Sequence, residues 1–424
     1  MRNIITLFIL LSGITALAGG YQTGLQGNVN QGMGSTGLSL TKDVSSMFYN
    51  PGALGMAGFK NYSLALGLTG ALGFSSYSAP QPSDYTTSTS LAPSNPFYFY
   101  LAKKLSKHLT LGICTYTPFN SSIHWKSDWK GKYIVTDFVI KTNYIQPTLS
   151  YNLSDKFGVG VGLVYGIGKF GYNFNIPGRY ADVDNGTAEL EGTSASLTNI
   201  GVNAGIMIRL SKKFKLGLSY KSAITMKFKD GDVKNTTASS LVDSFPNTTF
   251  KTTVPMPAVA GLGISYQVNE KLLLALEGEY TFWNINKSLE VDYKENTSLQ
   301  RDIRYQNDFI NTIAVRLGGE YTFSEKFRLR AGAYYELSPV KKDNVTPLLP
   351  DANHLGISLG AAYSPTKDLS IDFSVQYVNF AGRDGRYLYP SNYGDQSSPE
   401  PDDYFEGTYK TTAIYLGIGV TYKL

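Results

Sequence analysis

Residues 409–424 read YKTTAIYLGIGVTYKL, and no other stretch restricts the fold as much. From Ile414 every second residue is large and apolar: Ile414, Leu416, Ile418, Val420, Tyr422 and Leu424. Between them stand Ala413, Tyr415, Gly417, Gly419, Thr421 and Lys423, mostly small or polar. Strand side chains alternate faces, so this strand has one greasy face and one narrow, wetter face. A soluble sandwich would alternate in the same way, but here the apolar face runs to the last residue. An edge of that kind invites aggregation unless it pairs with the first strand. Closed sheets are the β-structures that span a bilayer. The stretch predicts a barrel that this strand closes.

Bulk properties agree with a barrel without demanding one. The 424 residues include 43 Gly and 31 Tyr, and mean hydropathy is only −0.15. No apolar run beyond the N-terminus approaches the roughly 20 residues of a membrane helix. A membrane barrel hides its lipid face in alternation, so low hydropathy does not count against it. The net charge of +5 is spread along the chain, which gives no basic stripe for nucleic acid. Met1–Ala18 reads as a secretory signal, with Arg2, an apolar run from Ile4 to Leu11, and Ala16-Leu17-Ala18 for cleavage. The single cysteine, Cys114, forms no internal disulfide, and none follows the apolar run for lipoprotein processing.

Residues 19–59 do not alternate. They are rich in Gly, Asn and Ser, with Gly32, Gly34 and Gly37 close together and then Asn50-Pro51-Gly52-Ala53-Leu54. A piece this small cannot bury a core of its own, so it is a leader or a plug (hatch) held inside something larger. From residue 60 to 424 strands alternate with short charged turns on one side and long polar loops on the other. The turns are Leu105-Ser106-Lys107-His108, residues 153–157, 210–214, 268–272, 323–327 and 364–369. Ser or Asn followed by charge is good tight-turn chemistry. Six hairpins plus a first and a last strand give an all-β, 14-stranded antiparallel transmembrane barrel. Its long loops fall near residues 78–95, 118–137, 173–195, 230–256, 294–308, 338–352 and 382–408. That asymmetry belongs to the outer membrane of Gram-negative cells, with the short turns and both termini in the periplasm. The outward parity is apolar, and Tyr, Phe and Trp283 at strand ends suit interfacial girdles.

The inward parity is small or charged. The fifth strand presents Gly158, Gly160, Gly162, Gly166 and Gly168, leaving room for something beside it. Strands nine to eleven present Glu277, Glu279, Arg316, Glu320, Arg328, Arg330 and Glu336. With strands about 4.8 Å apart these charges can form a lattice that braces the wall and seats the plug. Alternatively, one arginine takes a substrate carboxylate with its planar fork. Catalysis has little support. His108 and His124 fall at opposite ends of the barrel, and His354 and Ser358 are four residues apart on one strand. No cluster has metal-ligand spacing and no cofactor motif is present.

Two blocks carry a family resemblance. Gly19-Gly20-Tyr21-Gln22, Gly32-Met33-Gly34 with Gly37, and Asn50-Pro51-Gly52-Ala53-Leu54 form the first. Leu329–Tyr335, Ser338-Pro339-Val340, Leu349–His354 and Leu359–Tyr363 form the second. Together they resemble the FadL/TodX family of outer-membrane transporters for long-chain fatty acids and hydrocarbons, over the whole mature chain. Gly52 interrupts the family's usual Asn-Pro-Ala, and the final residue is Leu424 where Phe is common. The resemblance implies passive uptake of a long-chain fatty acid or other hydrophobic compound, released sideways through the wall at a kinked third strand. It also implies outer-membrane lipid and the barrel-assembly machinery as partners. Tyr21, Phe48, Asn50 and Pro51 from the hatch, with Arg316 or Arg330 from the wall, are the implied ligand contacts. Pro118, with Phe119, after the third strand and Pro147 in the fourth mark the expected lateral gate between those strands, because each proline removes a ladder donor. The competing expectation is a non-transporting barrel, an adhesin or structural protein, that works through its outer loops.

Overall fold

The computed structural model describes residues 20–90, 94–176, 186–388 and 404–424. The signal segment and Gly19 lie outside the described residues, as do parts of the outer loops.

Fourteen long strands form the wall: β1 (Tyr62–Ser78), β2 (Phe97–Lys104), β3 (Leu109–Tyr116), β4 (Asp137–Ser154), β5 (Phe157–Ile176), β6 (Ile200–Arg209) and β7 (Phe214–Lys221). They continue as β8 (Val259–Gln267), β9 (Leu272–Thr281), β10 (Thr312–Thr322), β11 (Phe327–Glu336), β12 (His354–Tyr363), β13 (Leu369–Phe380) and β14 (Tyr404–Lys423). Each pairs antiparallel with the next, and β14 pairs with β1 from Ser63↔Lys423 to Ser78↔Thr408. The barrel is closed, as the alternation of the last strand requires. Along β14 Leu416, Ile418 and Tyr422 are exposed to lipid, whereas Ala413, Tyr415, Gly417 and Gly419 are buried.

The six short turns owe their geometry to their polar residues. Ser106 Oγ accepts from the backbone N–H of His108 and Leu109, and Ser211 Oγ from those of Lys213 and Phe214. Asn269 Oδ1 does the same for Lys271 and Leu272 at 2.9 Å. A side chain that satisfies two turn amides sets hairpin register locally.

The long connections are more ordered than their composition suggests. Among the described residues the sheet has 22 strands, and those outside the wall prolong it on the outer side. Residues Ile224–Thr237 and Thr248–Met256 form a hairpin whose edges pair with Gly186–Ser194 and Ser288–Tyr293. Its inner face carries Ile224, Met226, Phe228, Phe250 and Val254, all buried. This apolar alternation was hidden by the polar residues that share the segment. The extension makes a second core, in which Phe170 lies 5.6 Å from both Phe228 and Phe250.

Gly20–Phe59 sits in the lumen. It is nearly all buried, with short helices at Asn28–Gln31 and Ser46–Tyr49 and a 3-10 helix at Pro51–Met56. Wall glycines make its seat. A Cβ on Gly160 would strike Pro51, one on Gly205 would strike Asn50, and one on Gly217 would strike Leu38. Gly318 and Gly332 meet Met33 and Gly34 in the same way, and Gly34 itself turns with φ +67°. Backbone therefore lies on backbone around the seat.

Candidate functional site

The wall loses its pairing just after β3, and the hatch fills the gap. β3 stops at Tyr116, paired with Tyr144, and the strand Asn120–His124 resumes the pairing at Asn120↔Lys141. Thr117, Pro118 and Phe119 thus oppose only Thr142 and Asn143. One extra residue bends the strand inward, as a bulge does, and Pro118 has no N–H to lose. The freed backbone groups are taken by the hatch. Thr23 N–H donates to Pro118 O (2.8 Å), and Asn120 N–H donates to Tyr21 O (2.7 Å). The side chains of Thr23 and Gln26 both donate to Thr117 O.

Pro147 requires a correction. The β3–β4 ladder runs unbroken from Leu109↔Tyr151 through Ile113↔Pro147 to Tyr116↔Tyr144, so the two prolines do not share a seam. The rungs missing beside Pro147 are those to β5, between Ile145↔Tyr165 and Thr148↔Gly162. Thr142 and Asn152 direct their N–H groups to the β3 side. Alternation therefore points position 147 at β5, the side on which proline leaves a donor missing. Its ring faces lipid. The inward break belongs to Pro118 and Phe119.

Below that break is an aromatic pocket. Phe48, Tyr116, Phe119 and Tyr144 line it with Gln22, Asn203 and Lys221. Phe48 meets Tyr116 edge-on at 5.0 Å, and Phe119 lies 6.2 Å from Tyr144 and 6.3 Å from Trp283. The free space is about 30 Å³, room for a water. Lys221, the last residue of β7, projects inward with its ammonium 4.3 Å from the centre of the Phe48 ring. It forms no ion pair with any described carboxylate.

Of the expected ligand contacts, Tyr21 and Phe48 reach this aromatic region, Tyr21 standing 5.8 Å from Trp283. Asn50 does not. Its amide donates to Leu38 O (2.7 Å) and Ile206 O (3.0 Å), while its carbonyl caps Gly52 N–H (3.0 Å). It pins the hatch to β6, and Pro51 starts the adjoining 3-10 helix against Gly160. Gly52 is dictated by space, since a Cβ there would lie 2.6 Å from Gly205 O and 2.9 Å from Gly158 O.

Both arginine forks are filled by protein. Arg316 donates to Glu279 (2.8 Å) and Glu336 (3.2 Å), and Arg330 to Glu320 and Asp372, both at 2.7 Å. The lattice of β9–β11 thus extends to β13, and it also grips the hatch. Glu277 accepts from the N–H groups of Gly37 (2.8 Å) and Leu38 (2.7 Å), and Lys42 pairs with Glu320 at 2.7 Å. Trp283 also departs from expectation. It is fully buried against Tyr21, Phe119 and Phe309 rather than in a lipid-facing girdle, because a 3-10 turn after β9 swings it inside.

Ser122, His124 and Asp137 are linked by hydrogen bonds of 2.8 and 2.5 Å in the outer extension. His124 and Asp137 are direct cross-strand neighbours, so this relay clamps the resumed strand to β4. Lys221 was legible in principle. Tyr220 faces lipid, so parity alone turns the next residue inward.

A closed barrel with a lumenal hatch, an inward-bent third strand and an aromatic pocket behind the bend defines a plugged outer-membrane barrel. Comparison with known proteins agrees. The profile of the outer membrane protein transport protein family (OMPP1/FadL/TodX) matches residues 9–424, and the chain belongs to that family. Outer membrane protein P1 of Haemophilus influenzae is 25% identical over 224 residues, 53% of this chain and 47% of that protein. The chain therefore spans about half the length of that relative. A long-chain fatty acid transport protein of Escherichia coli is 24% identical over 309 residues, covering 62% of this chain and 67% of the relative. A Pseudomonas aeruginosa FadL homologue of known structure superposes with a TM-score of 0.80 at 18% identity, over 95% of this chain and 99% of the other. The Ralstonia pickettii toluene transporter TbuX superposes at 0.69 with 14% identity, over 94% and 98%. Members of the family are outer-membrane transporters and channels rather than enzymes.

Proposed function

We propose that the protein takes up long-chain fatty acids passively, holding the carboxylate at Lys221 and the first part of the chain among Phe48, Tyr116, Phe119 and Tyr144. The observation that carries this is the inward ammonium of Lys221, which has a pocket in front of it and no described carboxylate within ion-pair distance, Glu279 and Glu277 acting on it only from farther off. Arg316 and Arg330 are poor candidates, because each already binds two carboxylates and a ligand would have to displace one. An ammonium beside apolar rings suits an amphiphile with one charged end. It is a costly neighbour for a bare hydrocarbon, since a buried charge needs a partner.

The pocket at rest holds only about 30 Å³. Binding therefore requires Phe48 and Phe119 to swing aside. Phe48 sits on the one-turn helix Ser46–Tyr49 of the hatch and Phe119 on the bulge, rather than on wall strands. Displacing Phe119 loosens the contact between Tyr21–Thr23 and Pro118–Asn120, which is the plug in the bent third strand. The ligand then leaves through that break into the membrane rather than down the polar lumen, where each methylene would forgo about 0.8 kcal/mol of apolar burial.

The test is binding of oleate and methyl oleate to Lys221→Gln in detergent. Losing a charge-assisted contact costs roughly 1.5–3 kcal/mol, so oleate affinity should fall about ten- to a hundredfold. Methyl oleate affinity should barely change. If oleate binds the variant as it binds the parent, Lys221 is not the carboxylate site. Equal losses for acid and ester would refute the charge argument and favour a neutral hydrocarbon as substrate.

A further inference from the structure

We infer that the outer surface of the barrel carries a binding slot for one acyl chain of a membrane lipid, on the wall from β5 to β10. An open groove of about 720 Å³ lies there on the lipid-facing side, and its lining is predominantly apolar. Strand register explains its shape. Ala204, Tyr220, Ala260, Tyr280 and Ile313 are direct cross-strand neighbours in one row on that face. Small and large residues thus alternate around the barrel. Two tyrosines two strands apart stand roughly 10 Å from each other, with Ala260 as the floor between them.

The next row toward the periplasm deepens the slot. Leu262 pairs with Gly278, and a Cβ on Gly278 would meet no atom within 4 Å. The rim is exposed, Tyr220 at 48% and Tyr280 at 38%. Each tyrosine is one residue from the outer end of its strand, the depth at which phenols reach lipid headgroups. Ester carbonyls lie at that level, and the chain below them would run down between the rings.

The occupant follows from location. The slot opens into the hydrocarbon of the membrane, where water is excluded and protein loops are not accommodated. If empty, it would leave its lining without van der Waals partners. Its floor is a single layer of backbone. Gly205 and Gly261 line the slot on one side, and their inner faces meet Asn50 and Leu38 of the hatch. A bound chain therefore backs the wall opposite the hatch seat. This site is separate from the pocket at Lys221 and independent of what the protein transports.

The experiment uses fluorescence quenching by brominated phosphatidylcholine in vesicles. The native Trp125, Trp129 and Trp283 are all buried, so a tryptophan placed at the slot reports contact with lipid there. Tyr220→Trp is the reporter, and Tyr280→Trp replaces it should the first variant misfold. Leu355→Trp is the control, one residue from the outer end of β12 and likewise exposed. The mole fraction of brominated lipid giving half-maximal quenching should be at least threefold lower at the slot than at the control. Gly278→Leu, or independently Ala260→Leu, should remove that difference by filling the slot. Equal mole fractions at the two sites overturn the proposal, as does a difference that survives both filling substitutions. Preferential quenching by brominated stearic acid but not by the phospholipid overturns it as well, because the slot would then belong to a free fatty acid.

Discussion

Arg330→Gln separates a wall-bracing arginine from a ligand-binding one. In the parent the guanidinium lies between Glu320 and Asp372, each at 2.7 Å, and all three side chains are about 2% exposed. Lys42 reaches Glu320 from the hatch, so two positive and two negative groups balance within the wall. Removing the arginine leaves two carboxylates facing one lysine. Breaking a buried pair of this kind costs about 3–5 kcal/mol, because the remaining charge is uncompensated. Heat-modifiable gel migration and urea unfolding in detergent would read that loss directly. Hatch anchoring should weaken as well, since Glu320 is shared. Exposure of the segment around Lys42 to a lysine-specific protease added to the purified protein reports that effect. Oleate affinity, measured where the variant remains folded, should change less than twofold. The decisive opposite result is an unchanged unfolding midpoint together with weaker binding of oleate but not of its methyl ester. That pair of observations would place the ligand carboxylate at Arg330 and refute the bracing argument.

Gly52→Ala should destabilise the hatch by about 1–3 kcal/mol, the usual cost of overpacking, because the clash is with backbone on two wall strands. A urea midpoint equal to the parent's would show that the wall yields there. Pro147→Thr should supply the missing donor to β5 and stabilise the barrel by about 0.5–1.5 kcal/mol while leaving oleate uptake by cells unchanged. A fall in uptake in that folded variant would move the exit from the bulge at Thr117–Phe119 to the β4–β5 seam.

The wall was legible because its signals are local. Alternation on β14, the serine and asparagine turns, and the sorting of loops by length each follow from residues close in sequence. The ion lattice followed from parity plus strand spacing, except that Arg328 donates to Ser364 and Ser370 rather than to a carboxylate, and the reach to Asp372 and Lys42 needed coordinates. What the sequence hid depends on a third dimension. Pro118 and Pro147 look equivalent as ladder breakers, yet one bends a strand inward and the other faces lipid with a full ladder on its β3 side. Trp283 has the composition of a girdle residue, and a single turn after β9 places it inside. The outer loops read as polar because exposed residues outnumber the alternating Ile224, Met226 and Phe228 that form their core.

The hatch is the clearest case of information that is present yet unreadable in order. Gly158 and Gly160 on β5, Gly205 on β6, Gly217 on β7, Gly318 on β10, Gly332 on β11 and Gly360 on β12 each lie against hatch atoms. Along any one strand such a glycine only weakens the pairing. Across the barrel they form a ring that admits the backbone of residues 32–52 and little else. A substitution on either side of that contact pushes backbone against backbone, so the seat resists small displacements. The Tyr21–Thr23 end is held differently, by hydrogen bonds to Thr117, Pro118 and Asn120 and by aromatic edges around Trp283. Those contacts can be exchanged for a ligand without moving the glycine-bound part. On the proposed function, the hatch is fixed by its glycine seat and the segment of residues 21–23 is the part that moves. In that proposal ligand binding near Lys221 would free that segment and the bulge it covers, while the ring of glycines would keep the lumen closed.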